Sequence, residues 1–182
     1  MTDPTETARR RMSPGQILGL IAVAAILGFG IFKGYAIQMA HDPSALMGRI
    51  HAPDFGLLAE APVTIRIHVA AALTALLIGT VLLLGVKGNT LHRTLGWTWV
   101  IAMATTAVSS LFIRQINPGS FSLIHLLSGW TIIALPMAVY AARKHRVLQH
   151  RRAMTGMFVG GLIVAGALTF LPGRLMWRMF FG

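Results

Sequence analysis

Five apolar stretches dominate this chain, at residues 16–39, 63–86, 94–113, 121–142 and 153–171. Each is close to the roughly 20 helical residues needed to cross a hydrocarbon core of about 30 Å. Between the later ones stand the clusters KGNTLHR, RQINPGS and RKHRVLQHRR, whose glycine, proline, asparagine and basic residues belong in loops. In lipid every backbone N–H and C=O must be satisfied within the protein, so a span is either a helix or part of a closed barrel. The even alternation of barrel strands is absent. The expected fold is therefore an all-α membrane protein with five transmembrane helices. Composition agrees: the chain is 55% hydrophobic and only 12% charged, about half the charged share of a soluble domain.

Lysine and arginine placement sets the orientation. With the N-terminus inside, Arg9, Arg10, Arg11, Lys87, Arg93, Arg143, Lys144, Arg146, Arg151 and Arg152 fall on the inner side. Lys33, Arg49, Arg66, Arg114, Arg174 and Arg178 fall on the outer side and its helix ends. The inner excess predicts N-terminus in and C-terminus out. The organisation that follows is a cytoplasmic tail (1–15), a first helix (16–39), an external loop (40–62), a four-helix core (63–172) and an external C-terminal segment (173–182), which reads as a short interfacial helix. The RRRM ahead of the first helix resembles the start of a signal peptide. Cleavage after QMA would place Gln38 where a small residue is needed, so an uncleaved helix is expected. The formal charge of +11 lies in short loops without a recognition motif or aromatic platform. That pattern excludes nucleic acid and points to anionic lipid headgroups. With no cysteine, disulfides, iron–sulfur clusters and thiolate metal sites are excluded.

The histidines carry the functional signal. His41, His51 and His145 fall in loops and read as solvated. His68, His92, His125 and His150 lie at or just inside the starts of the second to fifth helices. Consecutive helices start on opposite faces, so His68 and His125 belong near the outer boundary, and His92 and His150 near the inner one. The spacings of 24 residues (His68 to His92) and 25 (His125 to His150) describe two copies of one hairpin layout. One imidazole from each of two facing helices, at both membrane faces, is the ligand set of bis-histidine b-type haem. The expected pairs are His68 with His125 and His92 with His150, holding two haems b, or one if a pair stays vacant. The two levels would be about 20–25 Å apart along the helices.

Three features accompany that reading. Gly96 and Gly129 each follow a histidine by four residues, as Ala72 follows His68, so a small side chain shares the histidine's face and leaves room for a flat macrocycle. Arg66, Arg93, Arg114, Arg151, Arg152 and Arg174 stand at helix ends where anionic propionates would emerge. No aspartate or glutamate follows Glu60, which leaves a His/Glu zinc site and a carboxylate proton relay unsupported. Trp97 and Trp99 read as interfacial anchors, with a place beside a haem as the alternative for them and for Trp130. Pro136 should kink the fourth helix. Gly156, Gly160 and Gly161 read as a stripe for close helix packing.

KGNTLHRTLGWTWV, FSLIHLLSGWTII and HRRAMTGMFVGGLIVAGALTFLPGRLM resemble a bacterial family of predicted membrane proteins of unknown function (DUF2306), over roughly residues 63–182. That resemblance implies a multi-pass protein of the bacterial inner membrane. The histidine layout, with SLIHLLSGW, is similar to the cytochrome b561 superfamily of diheme electron carriers. There the second helix pairs with the fourth and the third with the fifth. This second resemblance implies transmembrane electron transfer from a quinol or ascorbate-type reductant, by a standalone oxidoreductase or the electron-carrying membrane subunit of one. A homodimer or partner subunits would be compatible with either. No ascorbate-site motif is recognisable, so donor and acceptor do not carry over. Two other readings compete. One is a non-catalytic membrane subunit without haem, whose histidines only hydrogen-bond. The other is a metal or haem transporter, disfavoured because the histidines cluster at two levels and no carboxylates line a path.

Overall fold

The computed structural model describes residues 51–113, 123–172 and 174–182, together with Ala36. The expected tail (1–15), the rest of the first helix (16–39), the loop to residue 50 and Arg114 lie outside the described residues. Among those described, all regular structure is helical: α1 (Phe55–Glu60), α2 (Val63–Leu84), α3 (Thr90–Phe112), α4 (Leu123–Arg143), α5 (Val147–Gly156), α6 (Ala165–Leu168) and α7 (Leu175–Phe181). A π-helical segment, Met157–Val164, joins α5 to α6 without a break in the helical path.

Three helices among the described residues are long and apolar enough to cross a membrane: Val63–Leu84, Thr90–Phe112 and His125–Arg143. The rod formed by α5, the π segment and α6 is divided by its wider turns, so neither α portion alone has that length. α2 is apolar on every side, and only 11% of its most apolar stretch is buried inside the protein. A helix apolar all round and so little covered by the protein itself suits an apolar surrounding such as lipid.

Local chemistry explains where the elements begin and end. Asp54 caps α1, its Oδ1 accepting from Gly56 N–H at 2.9 Å. Gly88 takes a left-handed conformation (φ 83°) in the turn before α3. There Asn89 caps α3, its Oδ1 accepting from His92 N–H at 2.7 Å. That cap starts α3 at Thr90, four residues ahead of the apolar run, and places His92 inside the first turn. α4 ends in a Schellman closure: Arg146 N–H donates to Ala141 C=O, His145 N–H donates to Ala142 C=O, and His145 itself is left-handed (φ 55°). The basic stretch after it is thus not all loop. α5 begins at Val147, so His150 also sits in a helix.

α2, α3, α4 and the rod pack in chain order, and the π segment closes back on α2. The helices of each expected histidine pair, α2 with α4 and α3 with the rod, therefore stand diagonally across one core. That core joins Ala75, Trp99, Met103, Leu135, Ala138, Met157, Phe158 and Leu162. Its tightest approach is at Gly79, where an added Cβ would lie 2.5 Å from the Phe158 ring and 2.7 Å from Trp99 Nε1. The glycine stripe expected to pack tightly does not. Among the described residues, a Cβ at Gly156 or Gly160 would meet nothing within 4 Å, whereas Gly161 touches α3, with Met103 Cε 3.6 Å from its added Cβ. The expectation assumed α spacing, and the π turns re-aim those positions.

At the end carrying the start of α2, α7 folds back against α1. His51 N–H donates to Phe180 C=O (3.2 Å) and Asp54 N–H to Met179 C=O (2.9 Å). His51 Nε2 lies 2.8 Å from Gly182 O, and Met179 is buried. His51, expected to be solvated, is exposed but ties this cap together.

Candidate functional site

The half-buried imidazoles of His68 and His150 are held in the same way. His68 Nδ1, on α2, lies 3.0 Å from Thr106 C=O and 3.1 Å from Ser109 Oγ on α3. His150 Nδ1, on α5, lies 3.0 Å from Ala138 C=O on α4. A carbonyl can only accept, so in each ring Nδ1 carries the proton and Nε2 is left with a lone pair in the neutral form. This arrangement orients metal-bound histidine, where a backbone carbonyl fixes both tautomer and ring plane.

His92 and His125 differ from them and from each other. His92 is half-buried, and its buried Nδ1 has no hydrogen-bond partner among the described residues. It lies within electrostatic reach of His150 and Lys87. The expected inner pair is thus brought to one end of the bundle. His125 is half-buried on α4 and has an interaction partner of its own. It shares an end with His68: Ser109 contacts His68, and its neighbour Ser110 hydrogen-bonds Ser128 on α4, three residues after His125.

Both glycines expected beside the histidines are half-buried with open space above them. Among the described residues, a Cβ at Gly96 or Gly129 would meet no atom within 4 Å. Such gaps on histidine-bearing faces fit a flat group, as do two oriented Nε2 atoms and the unsatisfied nitrogen of His92. The arginines divide. Arg66, Arg93, Arg151 and Arg152 are exposed, whereas Arg174 is half-buried. Burial pushes the Arg174 guanidinium down from its usual pKa, so an anion placed against it would relieve a desolvated charge.

Several residues of this region escaped the sequence reading. Thr106, Ser109, Ser110, Ser128 and Thr131 form a buried hydroxyl layer at the His68 end, most of them bonded to carbonyls three or four residues back. Hydropathy scores serine and threonine as neutral filler, and only their i, i+3, i+4 spacing on α3 hinted at a face. Trp99, read as an interfacial anchor, is instead 3% exposed in the core with Nε1 unpartnered. It stands two turns after His92 on the same face of α3. Trp97 does sit at the bundle end, under the Arg143 guanidinium at 5.8 Å, and Trp130 is exposed.

Among the described residues no group of three or more histidine, cysteine or acidic side chains could hold a metal ion by itself. Two facing histidines, the ligand set of a b haem, are fewer than such a group. Neither a curated protein nor a solved structure matches the chain. Residues 65–181, the capped four-helix unit just described, match the family described as Predicted membrane protein (DUF2306), and the chain belongs to that family.

Proposed function

We propose that this protein is a b-type cytochrome that moves electrons across the bacterial inner membrane through haem held by His68 with His125 and His92 with His150. The reading takes the chain as five spans with the N-terminus inside, and its layout resembles that of cytochrome b561. The observation that carries it is the shared orientation of His68 and His150, each Nδ1 bonded to a carbonyl of the neighbouring helix. Haem held by two imidazoles is six-coordinate and supplies one-electron transfer rather than oxygen activation.

The remaining chemistry belongs to the chain. Thr106 and Ala138 hold the two rings and make their Nε2 atoms better donors. Asn89 fixes the turn from which His92 projects. Gly96 and Gly129 leave space beside the histidine faces. Arg174, half-buried, is positioned for a propionate, with Arg66, Arg93 and Arg151 as exposed partners at the helix ends. The apolar shell of α2 keeps water from the path. A quinol or another small reductant is the expected electron source, and a homodimer or partner subunits fit the same role.

The same hydrogen bonds favour a second reading, a non-catalytic membrane subunit in which His68 and His150 join helices as polar glue. A visible spectrum separates the two. Protein purified from haem-replete cells should show a Soret band, with sharp α and β bands after dithionite. His92→Ala and His150→Ala should each lose about half the haem by pyridine haemochrome assay, the share of one of two sites. A colourless preparation overturns the haem reading and leaves the glue.

A further inference from the structure

Among the described residues, no acidic side chain neutralises the basic end of the bundle. Lys87, Arg93, Arg143, Lys144, Arg146, Arg151 and Arg152 are all exposed there, and no acidic residue follows Glu60 in the sequence. Three of these are internally occupied. Lys87 Nζ donates to Leu83 C=O at 2.6 Å, Arg143 stacks on Trp97, and Lys144 lies over Tyr140 at 5.7 Å. Arg146 and Arg152 instead flank a shallow groove whose other walls are Val147, Leu148, Gln149 and Ala153. Two of those walls are apolar and open, Val147 at 69% and Leu148 at 59% exposure.

We propose that this groove binds an anionic phospholipid, with the phosphate between Arg146 and Arg152 and the glycerol and first acyl carbons against Val147 and Leu148. The chemistry selects a lipid over a soluble anion. Guanidinium pairs would hold either phosphate, but a soluble ion leaves the two aliphatic side chains in water. The groove also lies just beyond the end of α4, beside the Trp97–Arg143 and Tyr140–Lys144 pairs, an aromatic and basic setting suited to headgroup level. Each basic residue near a surface of anionic lipid adds to the attraction.

Native mass spectrometry of the detergent-purified protein tests this with phosphatidylglycerol and phosphatidylcholine of identical acyl chains. Phosphatidylglycerol should be retained at least about tenfold better. R146Q/R152Q should weaken its retention about 30-fold, as expected for two surface guanidiniums, while R178Q at the opposite end should not change it. Excess inorganic phosphate should leave the lipid bound. Equal retention of the two lipids, an unaffected double variant, or displacement of the lipid by phosphate alone would overturn the proposal. Both arginines are exposed, so the variants should fold, and an unchanged melting temperature verifies that.

Discussion

Asn89 and His145 do comparable work at the two ends of the bundle's basic face, and only one of them is readable from sequence. An asparagine just before an apolar run is a known helix start, and it places His92. Asn89→Ala should cost about 1 kcal/mol, seen as a lower melting temperature in detergent. His145 acts through its backbone, in a left-handed conformation that costs a side-chain-bearing residue about 1 kcal/mol. His145→Gly should therefore raise the melting temperature, and a decrease would mean the ring makes contacts that outweigh the strain. The four helix-start histidines were legible because imidazole is conspicuous among apolar residues. The carbonyls that orient His68 and His150 were not, because a backbone acceptor on another helix leaves no mark in the sequence. Gly79 was missed for a similar reason: a lone glycine shows no pattern until Phe158 and Trp99 are seen against it.

Among the elements, the rod was the least predictable. Its apolar run and the basic turn before it were plain, but a π segment differs from an α-helix only in which carbonyl each N–H reaches. The segment turns Met157, Phe158 and Leu162 into the core and leaves Gly156 and Gly160 facing open space. Deleting Gly160 should convert the wide turns to α-helix and leave α5 and α6 facing nearly as they do now, because a π segment holds an added residue by widening its turns. Met157 and Phe158 should stay in the core. Circular dichroism should show retained helix, and the thermal melt should change little. A large fall would mean that the core depends on the wide turns. α7 was legible as a short interfacial helix, but its partner α1 was not, since six residues in a polar loop carry too little periodicity to declare a helix.

For the whole molecule, the membrane assignment was the strongest reading because it rests on sums rather than on single residues. The consequence lies in surface chemistry: Leu73 and Leu77 in mid-α2 are 55% and 69% exposed. Leu73→Lys should disfavour insertion by about 3 kcal/mol and shift protein from the carbonate-resistant to the extractable membrane fraction. Retention in the resistant fraction would mean that position 73 faces protein rather than lipid. How the helices neighbour one another was not legible, because chain order alone allows several arrangements and only the closure of the π segment on α2 selects the square.

The bond between His51 and Gly182 has a topological meaning beyond the cap it secures. It brings the first and last residues of the stretch from 51 to 182 together, so that stretch is almost a ring. Within that stretch, splicing those two positions and opening the chain between Gly85 and Asn89 would keep each described helix and its packing neighbours. For this bundle, the place where the polypeptide starts is separable from the shape it takes.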